Sequence, residues 1–339
     1  MVIGETSRAA NWSIYGYNRN TNPELTKIKG LTAFSHVLTE SNTTHKSVPM
    51  LMSSVTAHDF NSIYRQKGII TAFKEAGYRT AFFSNQRYNH SFIDFFGKEA
   101  DICDFIKEDA GDGSYNPSDD ELLKLVAAEL AENASKQFIV LHTYGSHFNY
   151  RERYPADHAF FLPDFPVDAE LKYKDNLINA YDNSIRYTDN FLARLIRMLQ
   201  EQDIDAAMLY TSDHGEDIFD DDRHLFLHAS PVPSYYQIHV PFLIWMSDNY
   251  RKNYPDLFKN AEINRQKNIS SSASFFQTML ELGGIDTPSR NDSLSVINAS
   301  YTEKNRVYLN DHNEARSLND IGMREEDFTM LQTKGIVYR

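Results

Sequence analysis

The chain has 339 residues, of which 41% are hydrophobic and 13% aromatic, enough for one large α/β domain or two ordinary ones with a sizeable core. Its net charge of −13 argues against nucleic acid as a partner, because phosphate-backbone binding needs clustered Lys and Arg. An anionic substrate stays open, since a bound cation reverses the local field. Cys103 is the single cysteine, so no intrachain disulfide forms. No signal peptide is read at the start, and no apolar run approaches the ~18–20 residues that span a bilayer.

In chain order, "MVI" reads as a strand and "GETSR" follows at once as a loop of active-site type. A domain that opens on a central strand is expected to be a fragment whose N-terminal part lies upstream. Further apolar runs with strand character are "RTAFFS", "KQFIVLHTY", "AAMLYTS", "VPFLIWM" and "RVYLN". Helices are expected between them. Residues 118–134 open on a capping box, Ser118 with Glu121 three residues on. Residues 172–201 place Leu177, Tyr181, Ile185, Leu192, Leu195 and Leu199 on one helical face. Residues 272–283 end at Gly283–Gly284. Strands alternating with helices predict an α/β fold, a mainly parallel sheet covered on both faces. "YPADHAFFLPDFPVD" is a Pro-rich surface excursion, a lid or a substrate rim. Residues 1–310 are expected to form the main domain and the charged residues 311–339 a peripheral appendage.

Polar clusters fall where the strands should end. They are "GETSR" with Glu5, "ESNTTHKSVP" with Ser41, Thr43, Thr44 and Ser47, "LHTYGSH" with His142 and His147, "SDHGE", and "HLFLHASP" with His224 and His228. Each has an ordinary explanation by itself. Glu5 could pair with Arg8, the Thr-rich loop could cap a helix, His142 could be a core histidine, and His224 could balance the neighbouring acids. Hydroxyl, carboxylate and imidazole loops gathered at one edge of a parallel sheet describe a hard-metal or zinc phosphoryl site.

The ordered series "GETSR", "TTHKSVP", "VLHTYGSHFNYRERYP", "NAYDNSIRYTDNFL", "YTSDHGED" and "FLHASPVPSYYQIHVPFLIW" closely resembles the phosphoethanolamine transferases. These form the membrane-anchored, sulfatase-like branch of the alkaline phosphatase superfamily, and the match runs over roughly residues 1–290. The resemblance implies an alkaline phosphatase/sulfatase-like fold. It implies that Glu5, Asp213 and His214 bind zinc, one ion or two, with Thr44 as nucleophile and fourth ligand. His147 and His228 would lie around the transferred phosphate, Glu216 would be a nearby carboxylate, and Asn85 and Gln86 would line the donor headgroup pocket. Coordination would make the Thr44 alkoxide accessible at neutral pH, and a phosphothreonine would split transfer into two displacements. The implied donor is phosphatidylethanolamine and the acceptor a glycolipid or glycan of the lipid A type. The implied setting is the periplasmic face of a bacterial inner membrane, with transmembrane helices upstream of this chain.

Three departures from the family's pattern stand out. Position 51 is Leu and Cys103 has no partner, so the nucleophile loop lacks the family's disulfide and is held by packing or is more mobile. The usual His-Gly of the last motif is His228-Ala229, a small change in side-chain size. The lysine expected after the Asn-Gln motif has no match, and Arg87 is the nearest cation in sequence. A soluble phosphodiesterase or sulfatase-type hydrolase of the same fold is the alternative, although "SVPML" lacks the Arg of a formylglycine motif. A metal-free binding domain of this fold is the third reading, and the presence of every implied ligand counts against it.

Overall fold

The computed structural model describes residues 1–109, 116–165 and 168–338. Seven strands form the central sheet in the order Leu31–Phe34, Phe242–Met246, Ala207–Ser212, Val2–Gly4, Gln137–His142, Arg79–Ser84, Ile102–Phe105. The pairings are parallel from Ala207–Ser212 across to Ile102–Phe105, and Phe242–Met246 runs antiparallel to both of its neighbours.

Strand alternation divides the core in two. Ile3, Phe82, Val140, Leu209, Phe242 and Ile244 enter one buried cluster, while Val2, Phe83, Leu141, Tyr210, Leu243 and Trp245 enter the other. Successive strand residues point to opposite faces, so runs that are apolar throughout must be covered on both sides. Helices Thr44–Met52 and Ser271–Leu282 cover the first face, and Asp120–Ala131 and Lys174–Gln200 the second. Within the long helix, Leu177, Tyr181, Ile185, Leu192 and Leu195 are buried, and Leu199 is partly so.

Two strands of the central sheet escaped the sequence reading, Leu31–Phe34 and Ile102–Phe105, and both lie at its edges. Their burial is alternating or only partial, so neither carries an unbroken apolar run. "RVYLN" does form the strand Val307–Leu309, but outside the central sheet, in a hairpin with Ala315–Ser317. Residues 311–338 bury Leu318, Leu331 and Ile336 against Leu38, Tyr235 and Ile238. In the excursion after Tyr154, Phe160, Leu162 and Phe165 are exposed; Pro166 and Val167 lie outside the described residues.

The expected capping box at Ser118 does not form. The helix has Asp119 as its N-cap, without a side-chain cap bond. The Asp119 carboxylate is drawn elsewhere: it accepts from the Tyr144 and Gly145 amides at 2.8 and 3.0 Å and from Asn85 Nδ2 at 2.8 Å. This ties the loop after strand Gln137–His142 to the loop after Arg79–Ser84. Because the parallel strands end on one edge, the loops beginning at Glu5, Asn85, Thr143 and Asp213 are brought together there. Asp119→Ala should cost about 2–4 kcal/mol, since it leaves these amides without an acceptor. Urea unfolding will measure it, and a loss below ~0.5 kcal/mol would contradict the assigned role.

Candidate metal and nucleophile site

Thr44 is the first residue of helix Thr44–Met52, after an extended Thr43. Val48 to Met52 are fully buried, so packing, with Leu51 at its centre, holds the segment that lacks a disulfide. Thr44 Oγ1 lies 3.2 and 3.3 Å from the Glu5 carboxylate oxygens and 3.1 Å from His214 Nε2. The neighbouring hydroxyls are committed elsewhere. Ser47 donates to the Asp213 carbonyl at 2.7 Å, joined by Thr39 at 2.8 Å, and Thr43 pairs with Ser41 at 3.2 Å.

Glu5 is the first residue after its strand, and Gln86 Nε2 donates to its Oε2 at 2.7 Å. Gly145, with φ +49°, closes over it so tightly that a Cβ would come within 2.8 Å of the Glu5 carbonyl oxygen. A glycine is required there. Thr6 adopts φ 50°, an uncommon backbone for a β-branched residue. It is held by the Tyr181 hydroxyl, which donates to the Thr6 carbonyl at 2.6 Å and accepts from Arg8 N at 2.9 Å. That conformation aims the Thr6 amide at Asp213 Oδ1, 3.1 Å away, and the His214 amide reaches the same oxygen at 2.7 Å.

Asp213 Oδ2 is buried without any hydrogen-bond partner. His214 Nε2 is 3.2 Å from it and 3.6 Å from Glu5 Oε1. His214 Nδ1 faces the Gly215 carbonyl at 2.9 Å, so it carries the proton and Nε2 presents a lone pair inward. Glu5, Asp213 and His214 are all buried, with donor atoms close enough together to hold one metal ion. Donors on a tetrahedron around zinc, each ~2.0–2.1 Å from the ion, stand about 3.3–3.4 Å apart. The contacts among Thr44, Glu5, Asp213 and His214 scatter about that spacing, and an orphaned carboxylate oxygen deep in protein asks for a cation. The residues fit the group.

Electrostatics agree. Burial, then the Asp213 charge, pushes Glu5 well above the usual carboxylate range. Burial lifts Asp213 from 3.8 to about 6, and burial, then His228, holds His214 well below the usual imidazole range. Next to them, Glu216 is buried with Oε1 unpartnered and Oε2 3.4 Å from His228 Nδ1. Burial opposes charge on His228, but its contact with Glu216 outweighs this and raises the pKa. His147 goes the other way, down to about 4 through burial. The His228 ring centroid is 4.2 Å from that of His214 and 6.4 Å from that of His147.

The other singled-out residues divide. Gln86 stands against Glu5, as described. Asn85 is buried and donates to the Pro117 carbonyl and to Asp119 at 3.0 and 2.8 Å, with Oδ1 unpartnered. Arg8 pairs with Asp220 at 2.6 Å and not with Glu5. His142 is a core histidine on Ser84, with a pKa lowered to about 3 by burial. His224 is exposed. Tyr181, Thr39 and Arg8 are the supports that local spacing could not reveal, because each acts on a partner far away in sequence.

Ala229 is more than a small change: its φ is 62°, beside Leu227 at 68°. A Cβ in that region costs ~1–2 kcal/mol, partly offset by glycine's greater unfolded entropy. Ala229→Gly should therefore stabilise the fold by about 0.5–1 kcal/mol in thermal unfolding; a loss of stability would show that the left-handed backbone is not the cost it is taken to be. A second outcome concerns pH. Without metal, the unfolded chain ionises Asp213 first, so stability should fall as pH rises from about 4 toward the folded pKa of about 6. Zinc should reverse that fall, and the added stability should grow across the same window. A zinc effect flat in pH would contradict the buried carboxylates.

The fold is of the alkaline phosphatase and sulfatase type, and the sulfatase family model matches residues 1–285. Phosphoethanolamine transferase EptC of Escherichia coli O18:K1:H7 is 26% identical over 317 residues, covering 90% of this chain and 54% of its own. Kdo(2)-lipid A phosphoethanolamine 7''-transferase of Escherichia coli K12 is 32% identical over 281 residues, 79% of this chain and 47% of its own. The chain thus spans about half the length of these curated relatives. A solved structure, the C-terminal periplasmic domain of EptC from Escherichia coli in complex with zinc, superposes with a TM-score of 0.85 at 24% identity over 95% of this chain and 92% of that one. The chain belongs to the sulfatase family, and these curated relatives are phosphoethanolamine transferases.

Proposed function

We propose that this chain is the catalytic part of a zinc-dependent transferase. It would move phosphoethanolamine from phosphatidylethanolamine to a glycolipid or glycan, of the lipid A type, at the periplasmic face of a bacterial inner membrane. The observation that carries this reading is the Thr44 hydroxyl at a helix start, 3.1–3.3 Å from His214 and both Glu5 oxygens, beside the unpartnered Asp213 oxygen. No helix among the described residues is long and apolar enough to cross a membrane. We propose that membrane attachment is supplied by a part of the protein outside these residues, since the chain spans about half the length of the curated relatives it matches.

Zinc held by Glu5, Asp213, His214 and Thr44 would supply Lewis acidity, lowering the cost of a threonine alkoxide and of charge on the phosphoryl oxygens. The chain's own residues do the rest. Gln86 fixes the Glu5 carboxylate, and the helix start favours negative charge at Thr44. In the first displacement the Thr44 alkoxide, its proton already released to solvent, forms the Oγ–P bond as the bond from phosphorus to the diacylglycerol oxygen breaks, leaving a phosphothreonine ester. His228, kept cationic by Glu216, gives a proton to the departing oxygen. In the second, the acceptor oxygen attacks the same phosphorus and the Thr44 Oγ–P bond breaks. His147, kept neutral by burial, takes the acceptor's proton. Asn85 acts at one remove, through Asp119.

Peptide mapping by mass spectrometry after incubation with phosphatidylethanolamine should find the adduct on Thr44. Thr44→Ala should abolish turnover by ~10³-fold or more, and Thr44→Ser should retain a part. An adduct on Thr43 or Ser47 would overturn the nucleophile. Turnover to water alone, with no acceptor product from a chain carrying its upstream segment, would move the reading to a hydrolase. His214→Ala should lose zinc on dialysis; a full equivalent retained would refute the ligand set.

A further inference from the structure

Tyr144 carries a cationic cluster that the phosphoryl chemistry above does not use. We propose that Lys107 and Arg153, seated on the Tyr144 ring, form a second anion subsite that binds an oxyanion of the acceptor, a phosphate or a sugar-acid carboxylate. This rests on the transferase reading and names the acceptor chemistry it requires.

The Lys107 ammonium nitrogen lies 2.9 Å from the Tyr144 ring centroid and the Arg153 guanidinium carbon 4.0 Å from it. The same ring stacks on His147, with centroids 4.8 Å apart and an interplanar angle of 17°. Both cations are 7% exposed, and burying charge is costly unless something compensates it. The available compensation is small. Arg153 meets Glu152 at 3.0 Å, but that carboxylate is 56% exposed, and exposed pairs contribute little. Among the described residues no carboxylate lies within ion-pair reach of Lys107. Asp119 is close enough to be felt, yet its oxygens already serve the Tyr144 and Gly145 amides and Asn85. Burial, then Arg153, with Arg87 adding to it, depresses Lys107 to about 7 against the opposing pull of Asp119 and Glu152. In a chain of net charge −13, cations gathered against one ring mark a place prepared for an anion.

The donor headgroup cannot be that anion. Its single phosphate is taken at Thr44, and its remaining charge is an ammonium, which Lys107 and Arg153 repel. The acceptor is left. His147, the base assigned to the acceptor oxygen, is stacked on the ring that carries the cations, so an acceptor anchored there arrives beside it. The cluster is built from two turns far apart in the chain, Ile106–Asp109 and Tyr150–Arg153.

The test uses the zinc-loaded chain and Lys107→Met, which keeps an apolar stem on the tyrosine, with Lys107→Arg as the charge-retaining control. Calorimetric titration with N-acetylglucosamine 1-phosphate, glucuronate and uncharged N-acetylglucosamine separates phosphate from carboxylate sources without requiring turnover. Lys107→Met should weaken binding of one of the charged probes by about ten- to a hundred-fold, leave N-acetylglucosamine unaffected and be largely rescued in Lys107→Arg. In turnover, discharge of the Thr44 adduct to a phosphorylated or acidic glycolipid should fall at least tenfold more than adduct formation. Equal losses in adduct formation and discharge would assign the cations to the donor. Reduced thermal stability with unchanged probe affinity would make the cluster structural. Either result overturns the subsite. Absence of any adduct in the unsubstituted chain, with probe binding still dependent on Lys107, would refute the transferase reading and leave the subsite standing.

Discussion

Burying Glu5, Asp213 and His214 together is the constraint on which the rest depends. Two carboxylates and an imidazole held away from water, with Asp213 Oδ2 unpartnered, would destabilise any fold that gained nothing from them. Much of the surrounding architecture reads as the means of keeping them there. The parallel strands deliver the loops to one edge, and Asp119 clamps two of those loops. Tyr181 holds Thr6 in a backbone that few β-branched residues adopt. Ser47 and Thr39 fix the Asp213 carbonyl, so the helix carrying Thr44 is locked to the strand end it must face.

The same constraint sets the division of labour among the histidines. His214 is neutral and turned by the Gly215 carbonyl so that Nε2 faces Thr44. His228 gains charge from Glu216 while His147 loses it to burial. Two imidazoles pushed toward opposite protonation states, with ring centroids 6.4 Å apart, are what the proposed double displacement would need. They arise here from ordinary differences in burial and neighbours.

The fold was legible wherever strands are buried on both faces, because those runs are apolar throughout. The edge strands Leu31–Phe34 and Ile102–Phe105 were not, since half-buried edges carry no such run. Ser118 was misread as a cap because a local pattern cannot show that the adjacent Asp119 carboxylate is claimed by a loop 25 residues further on. The residues of the proposed site came from the motif series, and the structure brings Thr44 within hydrogen-bond range of Glu5 and His214, and His214 to 3.2 Å from Asp213. The supports of that site were not legible, as with Arg8, whose partner is Asp220 and not Glu5. Nor was the cost of Ala229, because a one-methyl difference in sequence says nothing about the sign of φ. The cations on Tyr144 come from turns far apart in the chain and converge only in three dimensions.

The most direct test of the account is X-ray absorption at the zinc K-edge of the loaded chain, compared with Thr44→Ala. The account predicts oxygen and nitrogen donors at about 2.0–2.1 Å, a single imidazole, no sulfur, and a changed shell when the Thr44 hydroxyl is removed. A shell with two or more imidazoles, drawing in His228 or His147, or one indifferent to Thr44, would contradict it.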